Sequence, residues 1–331
     1  AIWSFEAPAD GIHRGIPHVA TDGTRLFAGT NDEGDGDEQE PLVFALDAES
    51  GERRYTVEDL PAGFINAVFV RDERLYVSHV NGELHTFAAE SGERTGTYSV
   101  PFGFGRPAVA GTEMYAPASE IVSLDYASGT RRWSASLPAD ASSRTRPAVS
   151  DDAVYVGTEA GHVVALSRSS GEVLWQARTT AEVSDLALGP TALWVSDESS
   201  TVYAYASADG TELSREEGGD SAGRPLAMVD DLLFVGGDSA SIRRVEGRSG
   251  DSLSTTETWS EDRSPSRLWA RDGTFFGGSL YIQQYDADGP TGLTFGSSSD
   301  LSFDPSSDQY TARGFEIDDA RAFVGTRWFE S

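Results

Sequence analysis

Cysteine and lysine are both missing from this chain of 331 residues, and each absence excludes a class of chemistry. Without cysteine there is no disulfide framework, no thiolate metal site and no cysteine nucleophile. Without lysine, all 25 basic side chains are arginine, against 54 Asp and Glu, and the formal charge is −29. Because so negative a surface repels phosphate groups, we expect no nucleic-acid partner and no binding to anionic membranes.

Long apolar runs and helical patterns are also absent. No stretch of eighteen apolar residues occurs, so we expect no direct membrane insertion of this chain.

Acidic excess keeps proteins hydrated at high salt, whereas hyperthermophile chains gain Lys as well as Glu. The composition therefore predicts a protein of a halophilic organism, and we expect it at the cell surface or outside the cell.

What the chain does contain is a repeat, most easily read in residues 146–178. Four short runs rich in β-branched, aromatic and Ala residues are separated by Asp-Asp, Glu-Ala-Gly and Ser-Ser-Gly turns, as in antiparallel strands. The Ser-Gly-Glu turn recurs, exactly or in degenerate form, with a spacing of 37 to 42 residues. Its glycines are Gly51, Gly92, Gly129, Gly171, Gly210, Gly250 and Gly289.

Four strands in a period near forty residues are typical of a β-propeller, in which small sheets bury their faces against each other. Eight copies of the second strand can be recognised, so the sequence predicts an all-β, eight-bladed β-propeller that occupies residues 1–331 as a single domain. These second strands are predicted at 25–30, 74–79, 113–118, 153–158, 192–197, 232–237, 274–277 and 321–326.

The last copy lacks its outer strands, because the sequence ends soon after the eighth second strand. Residues 2–5 match the outermost strand of the fourth copy, where Trp3 corresponds to Trp175. We therefore predict that the N-terminal strand pairs with the last, incomplete blade and closes the propeller, which removes an exposed sheet edge.

The repeat resembles the PQQ-type repeat, on the residues 153–158 (AVYVGT), 163–166 (VVAL), the turn at Gly171 and Trp175. This repeat is found in quinoprotein alcohol dehydrogenases and in the outer-membrane assembly lipoprotein of the BamB type, both eight-bladed. The resemblance covers nearly the whole chain and is weaker over 252–300. It implies that Trp133 and Trp175 are docking pins between adjacent blades, where large aromatic side chains fill the interior.

One face of the predicted propeller carries the chief insertions, which we call the loop face. Because strands alternate in direction, the loops before each innermost strand and the hairpins between second and third strands share this face, opposite the Ser-Gly-Glu turns. The insertions are residues 10–16, 31–41 and 296–312, and all of them fall there. The loop face is thus the predicted recognition surface.

Several arginines stand near the start of the innermost strands on this face, where they could surround the mouth of the central channel. They could hold an anionic group such as a carboxylate or an acidic glycan by charge-assisted bonds. The alternative is that each arginine only bonds carbonyls or carboxylates of a neighbouring blade. The predicted ligand-binding residues are Arg106, Arg146, Arg224, Arg267, Arg313 and, in the second copy, Asn66.

The loop of residues 31–40 holds six carboxylates in ten residues, a composition that suits a hard cation such as Ca²⁺. Asp32, Asp35 and Asp37 are the candidate ligands, although their spacing is not that of an EF-hand. The alternative is a solvated acidic loop.

Enzymatic function is the rival class. The resemblance would imply a quinone cofactor, but the adjacent cysteine pair of the dehydrogenases is impossible here and no calcium or catalytic motif of theirs can be matched, so no PQQ is expected. The five histidines show no metal or triad spacing, and the G-x-S-x-G match at 219–223 lies between strands rather than at a strand-to-helix elbow.

The leading prediction is a non-enzymatic binding or scaffold protein that recognises a protein or an anionic glycan on the loop face. A cofactor-dependent oxidoreductase, a hydrolase that uses the channel and a virus surface or receptor-binding protein remain alternatives. The outer-membrane assembly role of the BamB type is not carried over, because neither a cysteine for lipid attachment nor partner-binding motifs are visible.

Overall fold

A computed structural model of the chain shows an all-β protein built from antiparallel sheets. Side chains are described for most of residues 18–236. The backbone is described for residues 14–32, 41–100, 105–138, 141–143, 145–217, 225–229, 232–237, 241–246, 255–260, 267–271, 274–278, 282–286, 289–295, 309–317 and 322–329.

Within these residues the strands form seven four-stranded sheets and one strand pair, and in each sheet the strands lie side by side in chain order. The first four sheets are β1 (Arg14–Thr21), β2 (Arg25–Asp32), β3 (Val43–Asp47) and β4 (Arg53–Val57); β5 (Ile65–Arg71), β6 (Arg74–His79), β7 (Glu83–Ala88) and β8 (Arg94–Ser99); β9 (Ala108–Ala110), β10 (Glu113–Pro117), β11 (Glu120–Asp125) and β12 (Arg131–Ser136); and β13 (Ala148–Val149), β14 (Ala153–Gly157), β15 (His162–Ser167) and β16 (Val173–Arg178). The others are β17 (Val183–Leu188), β18 (Ala192–Asp197), β19 (Val202–Ala206) and β20 (Glu212–Glu216); β21 (Leu226–Val229), β22 (Leu232–Gly237), β23 (Ser241–Glu246) and β24 (Thr255–Ser260); β25 (Arg267–Arg271), β26 (Thr274–Gly278), β27 (Ile282–Asp286) and β28 (Gly289–Phe295); and the pair β29 (Gln309–Ile317) and β30 (Ala322–Phe329).

The strand pattern of the sequence is confirmed in detail. Each of the eight predicted second strands is a strand, from β2 to β30, with bounds that differ by at most three residues at either end. Five of the turn glycines, from Gly51 to Gly210, have φ between 68° and 76°, the left-handed conformation that favours glycine. The number of blades and the closure of the propeller stay predictions.

The chain divides into two compact units. Unit 1 comprises residues 1–102, 280–282 and 294–331, and unit 2 comprises residues 103–279 and 283–293. In unit 1, β1 lies beside both β29 and β30. The predicted partner strand at 2–5 lies outside the described residues, and the single domain over 1–331 stays a prediction.

Hydrophobic cores lie between consecutive sheets, because alternate residues of a strand point to opposite faces. In β14, Val154 and Val156 pack towards the sheet β9–β12, whereas Ala153 and Tyr155 pack towards the sheet β17–β20. All four side chains are buried. A strand covered on both faces explains why the second strands read as continuous apolar runs.

Aromatic side chains of the outermost strands dock into the following sheet, which confirms the docking-pin prediction. Nε1 of Trp133 donates to the carbonyl of Arg168 at 2.8 Å, and Nε1 of Trp175 donates to that of Ser207 at 2.9 Å. Tyr55 does the same with its hydroxyl, which donates to the carbonyl of Ala89. Each pin thus fills apolar space and satisfies a buried carbonyl at once.

The pins rest on the turn glycines of the next repeat. A Cβ atom added at Gly171 would lie 2.6 Å from Trp133, and one added at Gly210 would lie 2.5 Å from Trp175. These glycines therefore serve twice, for the turn conformation and for the close approach of an aromatic ring.

Candidate functional site

Phe64 is the exposed aromatic side chain among the residues whose side chains are described, and it lies on the predicted loop face. It lies in the connection before the innermost strand β5, and half of its side chain is exposed to solvent. Among the residues whose side chains are described, only three large apolar ones are exposed, and Phe64 is the one on the loop face. Aromatic side chains, Phe among them, are enriched at the cores of protein interfaces, and loops often carry binding residues.

The backbone around Phe64 is held in place on both sides. Its carbonyl accepts from the N–H of Val80 at 2.9 Å. Ile65 pairs with the Asn31 side chain, whose Oδ1 accepts from the N–H of Ile65 at 2.8 Å and whose Nδ2 donates to its carbonyl at 3.0 Å. Gly63 has φ 125°, and a Cβ there would lie 2.9 Å from the His79 ring. Phe64 is therefore presented by an ordered loop, which lowers the entropic cost of binding.

Asn66 occupies a β-bulge in β5. The register with β6 shifts between Ile65 and Ala67, and the Asn66 side chain is buried. Ser184 lies at the corresponding bulge in β17, and its hydroxyl donates to Glu198 at 2.8 Å. Bulges of this kind redirect a side chain near a sheet rim. Asn66 is thus a buried residue at the start of the innermost strand, and its role in ligand binding stays a prediction.

The predicted arginines fall near innermost strands wherever they are described. Arg106 is partly buried and Arg146 is exposed, and each lies two residues before β9 or β13 in unit 2. Arg267 is the first residue of β25, and Arg313 lies at a bulge within β29 rather than at its start. Arg224 lies outside the described residues. A common anion site formed by these arginines stays a prediction.

The acidic loop is described only at its first residues. Asp32 ends β2, where its Cα pairs with Arg14, whereas Asp35 and Asp37 lie outside the described residues. In the described part of the chain, no three His, Asp or Glu side chains are placed to hold a metal ion together. The Ca²⁺ site at this loop stays a prediction.

Asp197 is a buried carboxylate at the loop-face end of β18. Its oxygens accept from Ser199 Oγ at 2.6 Å, Thr180 Oγ1 at 2.9 Å and the N–H of Thr201 at 3.1 Å, among others. Burial opposes the charged form, but these hydrogen bonds hold the pKa of Asp197 below its ordinary value. The carboxylate joins the 179–181 loop to the 198–201 hairpin, so its role is structural.

A second polar cluster surrounds His85, a buried residue of β7 in the sheet β5–β8. The guanidinium of Arg94 donates to Nδ1 of His85 at 2.6 Å and, through Nε, to Asp59 at 2.8 Å. Since a guanidinium has only donors, the neutral imidazole carries its proton on Nε2, which lies 3.3 Å from the Glu83 carboxylate. Burial, with the positive charge of Arg94 beside it, lowers the pKa of His85 to about 4.

The opposite face carries a clamp between two consecutive sheets of unit 2. Arg168, which follows β15, donates through Nε to Glu113 at 2.9 Å and to the Tyr115 hydroxyl at 3.0 Å, both on β10. Its Nη atoms donate to the carbonyls of Ser150 and Ala110. Burial and the bond to Glu113 raise the pKa of the Tyr115 hydroxyl to about 12. This charged cluster joins the sheet β13–β16 to the sheet β9–β12.

The sequence pattern gives no sign of the roles of Phe64 and Asn31. Phe64 resembles any other aromatic residue of a β-rich chain, and only its neighbour Gly63 marks the loop as unusual. Asn31 was grouped with the acidic loop, although its amide has the donor and acceptor needed to imitate a strand residue. Exposure and pairing across sheets are properties of the fold, so no local pattern predicts them.

Comparison with known proteins identifies the family. The family model described as outer membrane protein assembly factor BamB matches residues 1–141 and 117–277. No curated protein matches the chain. Among the residues that the structure places, no helix is long and apolar enough to cross a membrane.

Solved structures share the fold at low identity. BamB from Moraxella catarrhalis is 17% identical, with 83% of this chain and 81% of that chain covered and a TM-score of 0.63. Sqt1 from Chaetomium thermophilum, solved bound to the N-terminus of the ribosomal protein L10, is 12% identical over 98% of both chains, with a TM-score of 0.72. The computationally designed Ika8 protein is 12% identical over 96% of this chain and 97% of that chain, with a TM-score of 0.73.

These identities show a shared fold and no shared function. The family match extends over most of the sequence, and the four-stranded antiparallel sheets agree with it. The chain therefore belongs to the BamB family of PQQ-like repeat proteins and has a β-propeller fold.

Proposed function

We propose that this chain is a non-enzymatic scaffold that binds another protein through its loop face, with Phe64 as the anchor. The observation that carries the proposal is the half-exposed ring of Phe64 on a backbone held by Asn31 and Val80. Aromatic side chains are enriched at the cores of protein interfaces, and an ordered backbone lowers the entropic cost of binding.

The similar proteins support a protein partner rather than a small substrate. One is named an assembly factor, and another was solved with the N-terminus of a ribosomal protein bound. In the described residues, the buried carboxylate of Asp197 and the partly buried guanidinium of Arg168 make structural hydrogen bonds. No observation favours an oxidoreductase, a hydrolase or a virus surface protein over a scaffold.

We also propose that the protein works at high salt, at the cell surface or outside the cell of a halophile. The support is the formal charge of −29 together with the complete replacement of lysine by arginine. An acidic glycan or carboxylate at Arg106 and Arg146, and Ca²⁺ at the acidic loop, remain predictions within this proposal.

Site-specific photo-cross-linking tests the proposed interface. A photoreactive phenylalanine analogue would replace Phe64 in one variant. In a matched control it would replace the exposed Glu49, which lies on the face of the Ser-Gly-Glu turns, here called the turn face. In molar KCl, irradiation in the presence of cell extract should give one discrete protein adduct from position 64 and none from position 49. Adducts of equal yield from both positions, or none from position 64, would contradict the proposal.

A quantitative arm follows once the adduct is identified by mass spectrometry. Because hot-spot aromatic residues contribute about 2 kcal/mol or more, Phe64→Ser should weaken binding of that partner by roughly 30-fold. Ala62 is also exposed on this loop, so Ala62→Ser serves as the matched control and should leave the affinity unchanged.

A further inference from the structure

The outer edge of β16 differs from those of the other four outermost strands whose side chains are described. β16 is the outermost strand of the sheet β13–β16, so one of its sides has no neighbouring strand within that sheet. Its first two residues, Val173 and Leu174, are 48% and 52% exposed. They are the other two large apolar side chains that are exposed among the described residues, and they are adjacent.

The other four outermost strands with described side chains carry charged residues at the positions that correspond to Val173 and Leu174. Two residues after the turn glycine, β4 begins with Arg53 and Arg54 and β12 begins with Arg131 and Arg132, all exposed. In β8 the pair is Arg94 and Thr95, and in β20 it is Glu212 and Leu213. Charged side chains at an edge oppose pairing with another chain, because pairing would desolvate them. Of the five outermost strands whose side chains are described, β16 is the one without a charge at either position.

A β-bulge does not account for the difference. The register between β15 and β16 shifts at Leu174, which has no Cα partner. The same shift occurs between the last two strands of the other four sheets with described side chains, beside Leu46, Phe87, Leu124 and Tyr205. Bulges protect these five edges alike, whereas among the five only β16 lacks the additional protection of charge at these positions.

The charges around the apolar pair indicate which strand fits the edge. Glu172 precedes β16 and Arg178 ends it, and both are exposed. If β16 pairs antiparallel with β16 of a second copy, Glu172 of each strand lies near Arg178 of the other, and the apolar residues lie between the two charge pairs. A parallel arrangement would place like charges together. The edge is therefore complementary to itself in the antiparallel direction.

We propose that β16 is a self-association edge, through which two copies of this chain join their sheets by antiparallel pairing of β16 with β16. The contact is small, so the dimer belongs to the weak, transient class. Two bodies of charge −29 repel each other over about 10 Å at 0.1 M salt but over only about 3 Å at 1 M salt. The dimer therefore forms at high ionic strength.

Sedimentation equilibrium of the full chain tests the association. At protein concentrations up to about 1 mM, the wild type should be monomeric at about 0.1 M KCl and should show a monomer–dimer equilibrium at about 2 M KCl. The variant V173R/L174R, which copies the arginine pairs of β4 and β12, should remain monomeric in both salts. T95R/S99R, which adds two arginines to exposed positions of β8, should dimerise as the wild type does.

Disulfide trapping tests the direction of pairing and does not depend on the arginine variant. Since the chain has no cysteine, E172C and R178C each introduce a single thiol. An oxidised mixture of the two should give a crossed dimer in preference to either homodimer at about 2 M KCl. A wild type that stays monomeric in all conditions, dimerisation of V173R/L174R at wild-type strength, or preferential E172C homodimers would overturn the proposal. Binding of an unrelated peptide to β16 in a monomeric chain would overturn it too.

Discussion

His85 is a base that the fold keeps neutral. Its imidazole is buried between sheets, accepts from Arg94 through Nδ1 and is close to Glu83 and His79. Burial and Arg94 oppose a second proton on the ring, whereas Glu83 favours it, and the net effect lowers the pKa of His85 to about 4 from an ordinary value of 6.5. Burial also lowers the pKa of His79.

Acid should therefore destabilise the protein in a window set by His85. Between pH 6.5 and about 4 the unfolded chain binds a proton that the folded chain does not, so the free energy of unfolding falls as the pH falls. The full loss is on the order of 3 kcal/mol below the window. Carboxylates with lowered pKa values, such as that of Asp197, contribute only below this range.

The measurement compares the urea midpoints of the wild type and His85→Gln at about pH 7 and about pH 5, at constant salt. The wild type should lose more stability between the two pH values than the variant, which has no group that titrates at this place. The same pH dependence in both proteins would contradict the assignment. Protonation of surface carboxylates affects both proteins equally, so it cancels in the comparison.

Among the strands, the alternation of outer aromatic residues and turn glycines joins one sheet to the next. Trp175 of β16 packs on Gly210 of the following repeat, with its Nε1 bonded to the carbonyl of Ser207. Gly210 has φ 74° and no room for a Cβ beside the ring. Gly23, between β1 and β2, has φ 87° but nothing within 4 Å of an added Cβ.

Alanine substitutions at these two glycines separate the cost of positive φ from the cost of steric overlap with a neighbouring side chain. Gly23→Ala should cost about 1 kcal/mol of stability because alanine disfavours positive φ. Gly210→Ala should cost about 2–4 kcal/mol because overpacking against Trp175 is added. Chemical denaturation of each variant gives the free energies of unfolding. Equal losses at the two positions would show that Trp175 does not pack on Gly210.

A double-mutant cycle then measures the contact itself. Trp175→Ala alone should cost about 3–5 kcal/mol, as expected for a buried tryptophan. Because the ring is then absent, Gly210→Ala should cost no more in that background than Gly23→Ala does, and the coupling should be about 1–3 kcal/mol. Strict additivity of the two losses would contradict the docking-pin assignment.

Strand positions were largely predictable from the sequence because their causes are local. Runs of four to six β-branched and aromatic residues between glycine turns are enough to identify β6, β18 and β22 at their observed bounds. Bulges were not predictable. Asn66 lies in a run that reads as a regular strand, whereas the structure shifts the register with β6 there, between Ile65 and Ala67.

The charge of the whole molecule governs how its stability depends on salt. A formal charge of −29 creates self-repulsion in the compact state, and added salt screens that repulsion. Several exposed carboxylates, such as Glu49 and Glu93, have no positive partner that would offset their charge locally among the contacts described. We therefore expect self-repulsion to lower the stability of the protein at low salt.

Raising KCl from about 0.1 M to about 2 M should raise the melting temperature, most steeply below 1 M where the Debye length changes most. A variant with Glu49, Glu52, Glu90 and Glu93 changed to Gln should depend less on salt, because four exposed negative charges are removed from the turn face. Thermal melts of both proteins across the KCl series provide the comparison. A wild-type melting temperature that falls or does not change with salt would contradict a halophilic protein.

The repeat, the antiparallel strands, the turn glycines and the aromatic pins, and with them the family, follow from the order of the residues alone. Each of these features depends on a period near forty residues and on residue types with strong local preferences, so it can be recognised from the sequence alone. Composition likewise determined the acidic surface, since charge needs no coordinates.

Which of the many polar and aromatic residues are accessible depends on how the sheets pack against one another. The tertiary structure shows that Phe64 is exposed while Trp194 is buried, that Asn31 pairs with the next sheet, and that Arg168 bonds Glu113 from 55 residues away. Exposure and long-range pairing result from how neighbouring sheets cover one another. A strand that lies between two sheets and a strand at an edge can have the same local sequence pattern, and only packing distinguishes them.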